Sequence, residues 1–382
     1  MDELAPPKPR LALLLKHLGD VADVREPWRV VYPLDEMLFL VVCATIADCD
    51  DYEDIVDWGE AHLGFLRRFA EFHHGLPCAD WLRALMNRID PKLFSACFED
   101  WAAACFPDRL DLVAVDGKTS RRSHDRAAGK PPLHLVSAFA TNAKLVLGQE
   151  AVAEKANEIA AIPALLARLD LEGALVSIDA MGCNPRIAQA ILDAGADWLL
   201  AVKDNQSTLH AEALAYFATA PATELDVAET LDKGHGRLES RVCKVSKAVD
   251  WIGSARAFPG AMRFPEIAVL ALIEARVEKQ GAVSVERRCY ISSRRLTADA
   301  FAKAVRSHWA IENALHWVLD VTFKEDLSRL RAGHGAANMA VVRHFALNLV
   351  RQAKDNRALK RRRKMASWSP AYLAQILGAA VC

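Results

Sequence analysis

Little in this chain favours a secreted, membrane-spanning or disulfide-stapled protein. Its nine cysteines form no CxxC pair, which points away from a disulfide frame or a zinc ribbon. Cys43, Cys97 and Cys105 sit in apolar, helix-like surroundings and are expected as buried thiols. The longest apolar run, Met37 to Ala47, is interrupted by Asp48 before it could span a bilayer. The first residues are acidic and then proline-rich, unlike a secretory signal, so a soluble cytoplasmic protein with no membrane partner is expected. Charge excess is missing as well: 48 Lys and Arg stand against 49 Asp and Glu. A case for nucleic acid must therefore come from local clustering. What the chain does have is length and apolar content, 382 residues at 52% hydrophobic, enough for two or three domains with a substantial core.

Apolar spacing predicts helices through residues 1–106, among them a buried one over Leu34–Asp48 and two opened by Pro77 and Pro91. The acids Asp48, Asp50, Asp51, Glu53 and Asp54 read as a solvated helix face. After Pro107 the pattern turns to strands: Asp111–Val115, a hairpin from Leu133–Ala140 to Leu145–Val152 turning at Asn142, then Leu175–Asp179 and Trp198–Val202. Helices are expected between them at Glu158–Leu169 and Pro185–Ala194, which makes residues 107–206 an α/β unit. Residues 207–300 read as a β-rich insertion, residues 301–335 as a returning helix N-capped by Thr297, and residues 336–382 as a basic helical segment.

Two stretches share one shape. Leu112-Val113-Ala114-Val115-Asp116-Gly117-Lys118 and Leu175-Val176-Ser177-Ile178-Asp179 each run a β-branched strand into an aspartate. Paired strands that end in carboxylates can hold a hard divalent cation, and ligands in open α/β sheets gather at such ends. On the later helix His308, Glu312, His316 and Asp320 recur every fourth residue and share a face. That face can aim Glu312 at both aspartates. The two histidines lack HExxH spacing and alone make a poor zinc set, while Trp309 and Trp317 read as core packing.

Taken together, VDGKTSR at 115–121, LHLVSAFA at 133–140, EKANEIAAIPALL at 154–166, SIDAMGCN at 177–184, DWLLAVKDNQ at 197–206, DKGHGRLESR at 232–241, YISS at 290–293 and HWAIENALHWVLDVTFKED at 308–326 resemble bacterial insertion-sequence transposases. More narrowly, they are similar to the H-repeat-associated branch of the DDE transposases, over nearly the whole chain. The resemblance implies a ribonuclease-H-like mixed-sheet core and metal-dependent DNA strand cleavage and strand transfer. It implies Asp116, Asp179 and Glu312 as the catalytic, metal-holding triad, with Mg²⁺ as cofactor and Mn²⁺ able to substitute. Glu325 and Asp326 are alternatives for the third acid. Broader relatives carry arginine where His308 stands, and a lysine further along where this chain has Leu319-Asp320.

The partners implied are double-stranded DNA, as terminal inverted repeats and as target, and a second copy of the chain, acting at the nucleoid. Lys118, Arg121, Arg122, Lys203, Asn205, Gln206 and His308 are the expected DNA contacts, and Lys360–Lys364 a further basic patch. Lys155, Asn157 and Glu158 match a motif at a helix start, where capping by Asn157 is the plain reading. A DNA-binding relative that does not cut, and a repair-type nuclease on the same core, are the competing functions.

Overall fold

In this computed structural model the described residues are 10–106, 110–124, 129–152, 158–234, 237–252, 263–279 and 282–378. Helices lead: α1 (Arg10–Gly19), α2 (Leu34–Ile46), α3 (Tyr52–Ala61), the single turn α4 (Leu63–Leu66), α5 (Ala79–Arg88) and α6 (Pro91–Cys105). Local chemistry sets their starts. Asp51 accepts the Asp54 N–H at the head of α3, and Asp90 accepts the Lys92 N–H ahead of Pro91 in α6. Helix α2 is buried on every side, as its unbroken apolar run predicts.

The strands follow: β1 (Leu112–Thr119), β2 (His134–Ala140) and β3 (Leu145–Val152), then α7 (Glu158–Leu166), β4 (Leu175–Ile178), α8 (Pro185–Asp193), β5 (Asp197–Val202) and α9 (Ser207–Thr219). Next come β6 (Leu225–Gly234), β7 (Arg237–Ser246), β8 (Val269–Lys279) and β9 (Ala282–Ser292). The nine strands of the described residues make one sheet in the order β3-β2-β1-β4-β5-β9-β8-β7-β6. β1 pairs antiparallel with β2 and parallel with β4, which pairs parallel with β5. The protein is therefore α/β with a large mixed sheet. Between β2 and β3 it is Lys144, at φ 56°, and not Asn142, that takes the left-handed turn position. Asn142 donates instead to Asp111 at 2.8 Å.

The described residues within 207–300 are more regular than the sequence suggests. They open with the helix α9, and β9 joins β5 antiparallel, so their four strands extend the main sheet rather than forming a layer of their own.

After β9 come α10 (Ala298–His308), a π-helical turn (Ile311–His316), α11 (Trp317–Val321), α12 (Gly335–Arg351), α13 (Leu359–Trp368) and α14 (Pro370–Leu377). Helix α12 is no basic surface helix. Nearly all of it is buried, with Arg343, His344 and Asn348 inside, and it packs on α2, α5, α6 and β3. Its apolar residues share one core with the leading helices, with Ala114, Phe139 and Val146 of the sheet, and with Ile311 and Leu315 of the π-turn. Asp48 and Asp50 belong to this arrangement and not to a solvated face. The fully buried Arg363 lies 3.0 Å from Asp48 and 3.4 Å from Asp50 and also donates to the Thr45 carbonyl. Trp309 and Trp317 miss the core and stand 45% and 58% exposed. The described cysteines are free thiols. Among the described residues no helix is long and apolar enough to cross a membrane.

Candidate active site

Strand alternation places the first acid. Val113 and Val115 point into the core under α7 and α8, while Leu112 and Ala114 point to the opposite face. Asp116 and Lys118 continue that second face, which α10 and the π-turn cover. Gly117 faces α7, where a Cβ would lie 2.5 Å from Glu158 Oε1 and 2.8 Å from His134 Nε2. Those two side chains hydrogen-bond each other, and His134 Nδ1 meets Thr119 Oγ1 at 2.8 Å. The glycine of the DGK motif is thus required by close packing behind the acid.

Asp179 follows the last residue of β4, one strand over. Its carboxylate accepts N–H groups from Met181 at 3.0 Å and Gly182 at 3.4 Å and so starts a 3₁₀ turn. Glu312 lies in the π-turn, whose wider coil is the irregularity often found where a helix serves a site. Asp116, Asp179 and Glu312 line one cavity of about 140 Å³, together with Lys203, Arg288, Tyr290, His308 and Trp309.

His316 is a fourth member. Its Nδ1 is 3.5 Å from Asp116 Oδ2 and 3.4 Å from Glu312 Oε2, and one donor atom from each of the three lies within 4.8 Å of the others. Burial, with Glu312 and Asp179 nearby, pushes the Asp116 carboxyl up to about 7 against the pull of His316. The hydrogen bond from His316 holds Glu312 below its ordinary value despite partial burial. Two carboxylates and an imidazole converging on one point, with a third carboxylate on the same cavity, fit a divalent cation. His316 Nε2 is buried without a partner, so its ring is not held from behind.

The other expected residues divide. Lys203 is exposed and lines the cavity. Arg121 is 82% exposed, 3.3 Å from Asp326, and Arg122 is exposed beside Arg331. Lys118 is turned inward and is not free for phosphate, since it is paired with Asp320 at 2.7 Å and Glu325 at 2.6 Å. Asn205 and Gln206 donate to the Ala180 and Cys183 carbonyls and so brace the turn after Asp179, in place of an open amide surface. His308 is hydrogen-bonded to Ser177 at 2.9 Å, and burial lowers its pKa, which favours a neutral ring. Glu325 is buried against Lys118 and Arg343, and Asp326 faces Arg121, so neither alternative acid reaches the cavity. Lys155 and Asn157 lie outside the described residues; Glu158 packs behind Gly117 as described.

Sequence reasoning missed His316 and Arg288 as members of the site. The i, i+4 step from Glu312 signalled the first, and nothing in the local sequence around β9 signalled the second.

Residues 89–349 match the family described as "Transposase DDE domain", and residues 15–102 match "DDE_Tnp_1-associated". The chain is 38% identical to "H repeat-associated putative transposase YhhI" of Escherichia coli K12, over 96% of this chain and 98% of that one. It is 37% identical to "Putative transposase YncI" of Escherichia coli O157:H7, over 95% and 94%. A solved piggyBac transposase synaptic complex with hairpin DNA aligns over 97% of this chain and 80% of that one, at 10% identity and a TM-score of 0.43.

Proposed function

This chain belongs to the DDE transposase family, and we propose that it hydrolyses DNA at insertion-sequence ends and joins the freed 3′-hydroxyl to target DNA. The observation that carries this is the meeting of Asp116, Asp179 and Glu312, from three distant segments, on one cavity. The five strands β3-β2-β1-β4-β5 are on this reading the ribonuclease-H-like part, with Asp116 inside β1, just past the end of its pairing with β4, and Asp179 just after β4.

Asp116, Glu312 and His316 would hold one Mg²⁺ or Mn²⁺, and Asp179, which lines the same cavity, would share it or take a second. Such an ion supplies charge to activate a water or hydroxyl and to stabilise the leaving oxygen of a phosphodiester. The protein's own share is positioning and charge. Lys203, on the cavity wall, can meet a phosphate oxygen of the bound strand. Arg288, on the same wall, is held by a two-point pair with Glu286 at 2.7 and 2.9 Å and lies 5.0 Å from the Trp309 ring. Ser177 holds the neutral His308 ring beside the acids, so it adds no positive charge to compete with a metal. Double-stranded DNA and a second copy of the chain are the partners of this reading.

The test is cleavage of a labelled duplex carrying the element's own terminal repeat, with Mg²⁺, comparing wild type and Glu312→Gln. Cutting at the repeat boundary that is lost in the variant is expected. Equal cutting of random duplex would instead indicate a nuclease, and binding without cutting by wild type an inactive relative.

A further inference from the structure

Lys118 is two residues past Asp116 on the same face of β1 and only 10% exposed. Its ammonium reaches Asp320 Oδ1 at 2.7 Å, two helical turns past Glu312, and Glu325 Oε2 at 2.6 Å. The chain turns back between these two acids at Lys324, a non-glycine residue at φ 50°. Glu325 is 2% exposed and has Arg343 of α12 at 3.7 Å on its other oxygen. The backbone N–H of Arg121 donates to Asp326 at 3.1 Å, which fastens the end of the same strand to the same segment.

We propose that Lys118 is a positioning residue whose clamp on Asp320 and Glu325 sets the helix carrying Glu312 and His316 against the strand carrying Asp116. This rests on the metal-site reading above. That helix is otherwise held by Ile311, Leu315, Val318 and Leu319 in the shared core and by Arg351 and Arg363, which donate to the Ala314 and Thr322 carbonyls from α12 and α13 and so do not tie it to β1. Apolar packing buries a face but is non-directional and tolerates small slides. A metal site tolerates about 0.5 Å. An ion pair at 2.7 Å from the strand of the first acid to Asp320 on α11, and a charge-assisted hydrogen bond to Glu325 in the turn that follows it, supply the missing direction. A phosphate contact by Lys118 would leave Glu325 buried with a weaker partner, which argues for clamp over DNA contact.

The experiment titrates the full-length protein with Mn²⁺ without DNA, following free Mn²⁺ by electron paramagnetic resonance, for wild type, Asp116→Asn, Lys118→Met and Asp320→Asn. Duplex affinity is measured beside it as a function of salt. Lys118→Met is expected to weaken Mn²⁺ binding at least tenfold while the salt slope stays unchanged. Asp320→Asn removes a half-exposed partner, leaves the fold intact if Lys118→Met does not fold, and is expected to weaken binding several-fold. Unchanged Mn²⁺ affinity in both, with Asp116→Asn abolishing it, overturns the clamp but leaves the metal site standing. A salt slope reduced by about 0.9 in Lys118→Met would make it a phosphate contact instead. No Mn²⁺ binding by wild type overturns both.

Discussion

Asp116 sits where burial and neighbouring acids both oppose its charge. Its pKa near 7 means the folded protein holds a proton that the unfolded chain has released between about pH 4 and 7. Without metal, this group makes stability fall as pH rises through that window, by up to about 1.4 kcal/mol per pH unit. A divalent cation should reverse the trend, because it binds the ionised form. Thermal melts should thus show Mg²⁺ raising Tm more at pH 8 than at pH 5, with the difference lost in Asp116→Asn. His316 offers a complementary check. His316→Ala removes one of three converging donors but neither carboxylate, so the Mg²⁺ concentration for half-maximal cleavage should rise about tenfold, within the range typical when one group around a metal is lost. An unchanged metal requirement would remove His316 from the site.

At the scale of elements, α13 shows why a run of basic residues is not by itself a DNA surface. One helix turns its side chains three ways. Lys360, Arg361 and Lys364 are exposed, Arg362 pairs with Asp355 at 3.1 Å, and Arg363 is fully buried against Asp48, Asp50 and the Thr45 carbonyl. Replacing the three exposed residues together with Gln should lower non-specific duplex affinity and reduce the salt slope by about 2 to 3, if all three meet phosphates. Arg363→Met should leave the slope alone and cost about 3–5 kcal/mol in urea denaturation, because Asp48 and the Thr45 and Thr322 carbonyls lose this partner, while Asp50 keeps Lys324. A change in slope for Arg363→Met would contradict the burial seen here. The π-turn makes a related point for the helix of the third acid. Its sequence spacing reads as an ordinary α-helix, and the wider coil at Ile311–His316 arises where that helix meets β1.

At the scale of the molecule, the leading helices and the final ones form one core, closed over one face of the sheet by α12. Removing residues 1–106 would expose the apolar side of α12 and the Ala114–Phe139–Val146 patch to water. The shortened chain is expected to lose its near-ultraviolet circular dichroism and its cooperative unfolding transition. A sharp transition in the fragment would show that the sheet stands without the helices.

The strands that carry Asp116 and Asp179, the helices of residues 10–105 and the helix face bearing Glu312 were legible in the sequence, because each depends on local periodicity and on residues at element ends. Periodicity says which face a side chain takes but not what lies opposite it. Hence Lys118, Asn205, Gln206 and Arg363 read as free polar groups until the tertiary structure supplied Glu325, the Ala180 and Cys183 carbonyls, and Asp48. The single sheet and the burial of α12 were decided in the same way. Both depend on contacts between segments far apart in the chain, β5 with β9 in the sheet and α12 with the leading helices in the core, and no local pattern encodes those partners.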